Sequence, residues 1–238
     1  MIASNQPAGR AATFFDVDGT LVQTTIAHYY AYFRLQRMSP IWRGLWHAAF
    51  MIKCAYYLVL DRISRSKLNV VFYRSYRGLP ADEIKARAKD CYRDVIRPRR
   101  FRQTAGCIEE HRRAGREIVL VTGSIDFIVA PLAEELGIRN VLAPALLESD
   151  GRFTGELDGP PIGEQEKARR IQRFAEENGI SLAHSHAYGD SIADLPMLEV
   201  VGHPHAVNPD KALSAIARAR DWSTHHWMVD AAQEGNGR

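Results

Sequence analysis

The sequence predicts an α/β protein: a parallel sheet covered by helices on both faces, interrupted after its first strand by an all-helical insertion. Two observations carry this. Short apolar runs alternate with stretches of helical periodicity, and near-continuous apolar strands in such an alternation mark a parallel sheet buried on both sides. Between Thr25 and about Gly115, by contrast, no strand pattern occurs, only apolar residues at helical spacing.

The elements follow in order. "ATFFDV" (12–17) reads as a short buried strand. The helical stretch after it is broken at Ser39-Pro40, at Gly78-Leu79-Pro80 and at Arg97-Pro98, which divides it into four or five helices. "EIVLVTGS" (117–124) is the second strand and its exit, and "DFIVAPLAEELG" (126–137) a helix stopped by Gly137. "NVLAP" (140–144) is a third strand, and "LLESDGRFTGEL" (146–157) a hairpin turning at Asp150-Gly151. "GEQEKARRIQRFAEENG" (163–179) is a helix ended by Gly179. "SHAYGDS" (185–191) and "HAVNPD" (205–210) supply two more strands, with a helix starting near Pro209. The tail "EGNGR" is expected to be disordered. This divides the chain into a core of residues 1–23 and 104–238 and a helical cap of residues 24–103.

With 238 residues, 46% of them hydrophobic, the chain can bury a sizeable core. Cys54, Cys91 and Cys107 are scattered and form no C-x-x-C pair, which argues against a disulfide framework or a zinc site and fits a reducing compartment. The start "MIASNQPAGR" lacks the pattern of a signal peptide, so a cytoplasmic location is the expectation. The net charge of +3 hides an asymmetry: Arg34 to Arg116 holds 20 Lys and Arg against 7 Asp and Glu, and the rest 11 against 21. A basic block in an otherwise acidic chain is either a solvated surface or a face for an anionic partner, with phosphate esters, anionic lipid and nucleic acid as the classes it would take.

In parallel sheets ligands sit beyond the carboxyl ends of the strands, so the residues just after each strand are the informative ones. Asp16, Asp18, Gly19 and Thr20 follow the first strand, and Thr122, Gly123 and Ser124 the second. Gly189, Asp190, Ser191 and Asp194 follow the strand at 185–191, and Lys167 lies early in the helix before it. Asp-Gly is also a hairpin-turn dipeptide, and Asp190 and Ser124 are also good helix caps. Converging carboxylates repel one another unless a cation lies among them, and an all-oxygen set suits Mg²⁺, which also takes a phosphate oxygen. Lys167 and Thr122 would then donate to the remaining phosphoryl oxygens.

The ordered set D-V-D-G-T, V-T-G-S, Lys167 and G-D-S-x-x-D resembles the haloacid dehalogenase superfamily of phosphohydrolases. The insertion is similar to that superfamily's helical type-1 cap. "AYGDSIADLPMLEVVGHP" and "DGRFTGEL" are similar to the phosphoserine-phosphatase-like group. The resemblance implies a Rossmann-like core and a Mg²⁺-dependent phosphomonoesterase. It implies Asp16 as the nucleophile that forms an aspartyl-phosphate, and Asp18 as general acid and then base. Asp16, Asp190 and the backbone carbonyl of Asp18 would hold the metal, with Asp194 a further ligand or an orienting neighbour. Lys167, Thr122 and the N–H groups around Gly123 would hold the phosphate.

The substrate is less determined. Phosphoserine phosphatases carry an acidic residue soon after the first motif, which the resemblance associates with the substrate ammonium; here the stretch reads Val22-Gln23-Thr24-Thr25-Ile26, with no carboxylate. In "PIWRGLWHAAFMIKCAYYLVLDR" (40–62), Arg43, His47, Lys53, Tyr57 and Asp61 share a narrow polar stripe on a helical wheel. We read this as a helix buried within the cap. The alternative is an interfacial helix or acyl groove flanked by Arg34, Arg37, Arg62, Arg65 and Lys67. The main reading is a small organic phosphate monoester. The alternatives are a lipid phosphate (lysophosphatidate- or phosphatidylglycerophosphate-like) at an anionic membrane surface, a phosphotransferase, and a non-enzymatic membrane or partner-binding module. "FYRSYRG" and "RPRRFR" are basic runs that could take a carboxylate or phosphate; with no nucleic-acid-binding motif beside them, no nucleic-acid partner is expected. His184, His186, His203, His205, His225 and His226 include His-x-His pairs that can share a strand face, but no thiol or carboxylate spacing supports a zinc site, and they are read as structural or rim residues.

Overall fold

A computed structural model of the chain describes residues 10–36 and 38–229, without the side chains of residues 40, 47 and 61–63. The expected disorder of "EGNGR" and the placement of the Arg37, His47, Asp61 and Arg62 side chains lie outside the described residues. The sheet is built from β1 (Ala12–Phe15), β2 (Glu117–Val121), β3 (Asn140–Leu142), β6 (His186–Gly189), β7 (His203–Val207) and β8 (Ser223–His225). All neighbouring pairs are parallel, in the order β3-β2-β1-β6-β7-β8. From β1 the chain first builds outward through β2 and β3, then returns to build β6, β7 and β8 on the other side. The order reverses between β1 and β6, and that reversal opens a crevice at the strands' carboxyl ends.

Alternation along β1 divides the core. Ala12 and Phe14 pack with Val119, Val121, Ala187 and Ala206 under α8 (Glu164–Asn178), α9 (Leu195–Glu199) and α10 (Lys211–Ala219). Phe15 packs on the other face with Ile118, Leu120, Tyr188 and Val207, toward α6 (Gln103–Arg113) and α7 (Asp126–Glu135). The ends of these helices follow local chemistry. Gly179 takes φ 62° to close α8, and the Asp210 carboxylate accepts the Leu213 N–H at 2.8 Å to start α10. The hairpin of β4 (Leu146–Ser149) and β5 (Arg152–Leu157) turns at Asp150 and Gly151, both with positive φ, as a tight two-residue turn requires. The expected β-strand set lacked β8, a short and half-exposed edge strand without an apolar run.

Between β1 and α6 lie α1 (Ile26–Leu35), α2 (Pro40–Ile63), α3 (Arg65–Tyr73), α4 (Ala81–Ala86) and α5 (Ala88–Cys91). The last continues through a π turn, Tyr92–Ile96, and a 3-10 turn, Arg97–Arg99. The two chain crossings into this cap run side by side: Gln23 N–H donates to the Arg99 carbonyl at 2.8 Å and Phe101 N–H to that of Leu21 at 3.1 Å. A second tie comes from Glu164 at the start of α8. Its carboxylate accepts the N–H groups of Arg65 at 2.5 Å and Ser66 at 3.1 Å, and the Ser66 hydroxyl. A core carboxylate thus satisfies the unpaired donors at the N-terminus of cap helix α3, where negative charge is favoured.

The structure corrects the reading of α2 as a helix buried within the cap. Only one strip of it packs inward: Phe50 and Tyr57 are buried, and Trp46, Cys54 and Leu60 are partly so, against Tyr30, Phe72 and Tyr76. Lys53 and Tyr57, part of the polar stripe, face this strip and both bond the Ser75 hydroxyl, each at 3.1 Å. The apolar face instead meets solvent, with Ile41 80% and Ile52 77% exposed and Trp42, Leu45, Met51 and Val59 also open. A single-layered cap offers one surface to cover, and an apolar arc wider than that surface remains outside. Of the basic runs, Arg97 and Arg100 pair with Glu135 at 3.6 and 2.5 Å.

Five histidines collect on the Phe15 side of the sheet. His186 Nδ1 lies 2.9 Å from His205 Nε2, and His205 Nδ1 lies 3.1 Å from His225 Nε2. His203 stacks on His186, and His111 bonds the Tyr188 hydroxyl at 2.8 Å. Burial pushes His186 and His205 down to about 3 and His111 to about 4, from an ordinary 6.5, helped by neighbouring imidazoles at His186 and His205 and by Arg116 at His186 and His111.

Two predictions follow from these contacts. Glu164→Ala should lower stability to urea by about 1–3 kcal/mol, because two helix-end N–H groups lose a charged acceptor; an unchanged midpoint would show that water replaces it at no cost. For the histidines, the unfolded chain takes up protons first as pH falls below about 6.5. Their contribution is therefore present above that pH and lost on the way to 3–4. The melting temperature of His205→Gln should fall less between pH 7.5 and 4.5 than that of the unsubstituted chain. Equal slopes would remove the imidazole stack as a cause.

Candidate active site

The crevice beyond β1 and β6 holds the residues that the strand-end reading singled out. Asp16 follows β1 directly and is 5% exposed; its N–H donates to the Tyr188 carbonyl of β6 at 3.0 Å, which fixes it on the rim. Lys167 lies one turn into α8 on the helix's buried face, with Ala168, Ile171 and Ala175. Its ammonium donates to Asp16 Oδ1 at 2.5 Å and to Asp194 Oδ1 at 2.6 Å. Arg169 and Arg170, its neighbours in sequence, turn outward to Glu166. Asp194 keeps its second oxygen for the N–H groups of Asp190 and Ser191, at 3.1 and 3.2 Å, and the Ser191 hydroxyl. Asp190 accepts the Thr20 hydroxyl at 3.2 Å. Oxygens of Asp16, Asp190 and Asp194 lie within 4.8 Å of one another, the one such acidic, thiol or imidazole group among the described residues.

Crowding sets the charge state. Burial pushes the Asp16 carboxyl up to about 7, with Lys167 opposing and Asp194 adding to the rise. Burial and the charges of Asp194 and Asp16 hold Asp190 well above the usual carboxylate range. For Asp194 burial acts upward, but the Lys167 charge and hydrogen bond outweigh it and the group sits below its ordinary value. For Lys167 burial acts downward, and the two aspartates outweigh it and raise it. Glycine is required twice here. A Cβ on Gly19, at φ 93°, would stand 2.2 Å from Asp190 Oδ2, and one on Gly189 would stand 2.6 Å from the Asp194 Cβ.

Asp18 is turned away from this triad. Its Oδ1 accepts the hydroxyls of Thr24 at 2.8 Å and Tyr29 at 2.5 Å, and its Oδ2 that of Ser124 at 2.6 Å. Thr24 and Tyr29 come from the cap side and Ser124 from the loop after β2. Thr122 is buried and its hydroxyl accepts the Ser124 N–H at 3.0 Å. The Gly123 carbonyl accepts the Tyr73 hydroxyl of α3 at 2.7 Å, and a Cβ on Gly123 would stand 2.7 Å from the Asn69 amide. The sequence reading missed Thr24, Tyr29 and Tyr73 as site residues and left Ser124 open between a strand-end hydroxyl and a helix cap. Ser124 alone carried a signal, as a hydroxyl at a strand end; the others depend on how the cap docks.

Asp16, Asp18, Thr122, Gly123, Ser124, Lys167, Asp190 and Asp194 line one cavity of about 270 Å³ between core and cap. Ionised and protonation-prone carboxylates, one ammonium and several hydroxyls on one floor suit nucleophilic and acid–base chemistry on an anionic ester.

Comparisons with known proteins give the family and the fold. The family model for haloacid dehalogenase-like hydrolases matches residues 13–199. A protein of Mycobacterium tuberculosis described as a probable phosphatase is 33% identical over 221 residues, covering 91% of this chain and 75% of its own. A Bordetella pertussis protein of unknown function has a solved structure that superimposes with a TM-score of 0.76 at 27% identity, over 91% of this chain and 98% of its own. A phosphoserine phosphatase solved as a phospho-aspartyl intermediate analogue shares the fold, with a TM-score of 0.68 at 20% identity, over 94% of this chain and 96% of its own. The chain belongs to the haloacid dehalogenase-like hydrolase family.

Proposed function

We propose that the chain is a Mg²⁺-dependent phosphomonoesterase that works through an aspartyl-phosphate on Asp16. The observation that carries this is the buried Asp16, held by Lys167 at 2.5 Å at the floor of the cavity, with Asp190 and Asp194 beside it. The probable-phosphatase relative and the phospho-aspartyl analogue of a fold neighbour support it.

The donor set fits a hard divalent cation: it is all oxygen, and burial raises the proton affinity of Asp16 and Asp190, which a bound cation would offset. Asp16, Asp190 and the Asp18 carbonyl would hold Mg²⁺, which when bound neutralises phosphate charge and favours the ionised Asp16. Asp194 spends both oxygens on Lys167 and on the Asp190–Ser191 backbone, so its role is to position Lys167 and Asp190.

In the first step an Asp16 oxygen bonds to phosphorus, the ester P–O bond breaks, and the departing alkoxide takes the proton of Asp18. In the second, Asp18 takes a proton from water as that water bonds to phosphorus. The P–O bond to Asp16 breaks, and inorganic phosphate leaves. Lys167 stabilises charge on the phosphoryl oxygens, and the Thr122 hydroxyl and the N–H groups around Gly123 donate to them. The contacts of Asp18 orient it: its Oδ1 accepts the Thr24 and Tyr29 hydroxyls at 2.8 and 2.5 Å and its Oδ2 the Ser124 hydroxyl at 2.6 Å. The paired crossings near Gln23 and Arg99 support cap boundaries at 23/24 and 103/104.

Two measurements test the reading. Phosphate release from p-nitrophenyl phosphate should vanish with EDTA and return with Mg²⁺, and Asp16→Asn should lower it by about 10³-fold or more. An Asp16→Asn variant as active as the unsubstituted enzyme sinks the nucleophile assignment. Ser124→Ala removes one of the three hydroxyls that orient Asp18. It should lower kcat by roughly tenfold, as expected for one hydrogen bond to a charged group. An unchanged kcat would show that Ser124 does not position Asp18.

A further inference from the structure

The cavity has two unlike halves. Its floor is the polar site described above. Its walls toward the cap are mostly apolar, Ile26, Ala27, Cys54, Leu58, Leu68 and Phe72, and the polar side chains among them, Thr25, Tyr57, Arg65 and Asn69, include no carboxylate. Such a wall gives an ammonium group no charged partner and rewards an apolar leaving group along its apolar residues.

The wall also continues outside. Leu58 lines the cavity and is itself 66% exposed, so it forms the rim. Met51, Cys54 and Leu58 follow one another along one stripe of α2 at spacings of three, four and seven. Met51 is exposed and lies in the apolar face that α2 turns to solvent. Exposed apolar surface on this scale marks a binding face, and here it runs unbroken from the catalytic floor.

We propose that the alcohol esterified to the phosphate is apolar. The substrate is an amphipathic phosphomonoester, its phosphate on Asp16 and Lys167 and its hydrocarbon chain passing Leu68 and Phe72 and leaving over Leu58 along α2. This rests on the phosphomonoesterase reading and names its substrate class. Arg65 also lines the cavity, and its charge, which acts on Asp190 and Asp194, suits the phosphate end of such a substrate.

The test is a series of monoalkyl phosphates from ethyl to dodecyl, held below micelle-forming concentrations, with phosphoserine and p-nitrophenyl phosphate alongside. Each methylene that enters the cavity should raise kcat/KM about threefold to fourfold, until the chain emerges and the rise levels. Leu58→Glu should cut the octyl-to-ethyl ratio by tenfold or more, and Leu58→Met should restore it. A second arm presents dodecyl phosphate in phosphatidylcholine vesicles. Preference for monomers assigns the amphiphile to solution and preference for vesicles assigns it to a bilayer, and both uphold the proposal. A flat series in both arms, or phosphoserine as the best substrate, overturns it while leaving an Asp16-dependent phosphatase in place. Hydrolysis of no ester, or undiminished activity in Asp16→Asn, overturns this inference and the phosphomonoesterase reading together.

Discussion

The site depends on one buried ammonium. Lys167 touches Asp16 and Asp194 at once, at 2.5 and 2.6 Å, and all three side chains are nearly sealed from water. Carboxylates packed this closely would cost several kcal/mol each to ionise without a cation, and removing one partner from a buried pair typically costs about 3–5 kcal/mol. The remaining architecture brings that cation into place. The reversal of strand order sets β1 beside β6, which puts Asp16 and Asp190 on one rim. The buried stripe of α8 delivers Lys167 from above, and the loop after β6 folds Asp194 back onto it. Gly19 and Gly189 exist at these positions because the carboxylates approach the backbone more closely than any Cβ permits.

Two aspartates separated by one residue end in opposite environments. Asp16 faces the ammonium and its fellow carboxylates, and its proton affinity rises through burial. Asp18 faces three hydroxyls, two of which arrive with the cap. In the proposed mechanism the two take different roles, and it is their surroundings that differ, Asp16 meeting the ammonium and Asp18 the hydroxyls. Because Thr24 and Tyr29 hold Asp18, its orientation depends on how the cap docks. Glu164 at the N-terminus of α3 and the Tyr73 contact to Gly123 fix that docking from the core side.

Most of the core was legible in the sequence because backbone geometry dictates it. Asp16, Gly19, Thr122, Gly123, Asp190 and Lys167 stand where strands end or a helix begins, and position there follows from the apolar pattern alone. Asp150-Gly151 announced its turn through residues that tolerate positive φ. The strand β8 escaped because an exposed edge needs no apolar run. Thr24, Tyr29 and Tyr73 escaped for a different reason: their importance lies in contacts between cap and core, and no local pattern encodes the angle at which one packs on the other. Ser124 was visible, but a hydroxyl before a helix has two uses and the sequence does not choose between them.

The helix α2 shows where pattern and environment part. Its apolar arc is wide enough for burial on most sides, and periodicity alone places such a helix inside a core. The cap has only one layer to offer it. The aromatic cluster of Tyr30, Trp46, Phe50, Phe72 and Tyr76 secures one strip, and Lys53 and Tyr57 join Ser75 at its edge. Stability is thus supplied by a narrow seam, and the exposed side chains outside it add nothing to folding. Their apolar character makes physical sense where they meet an apolar ligand, and the stripe that joins them to the cavity passes through Leu58, at the cavity's rim.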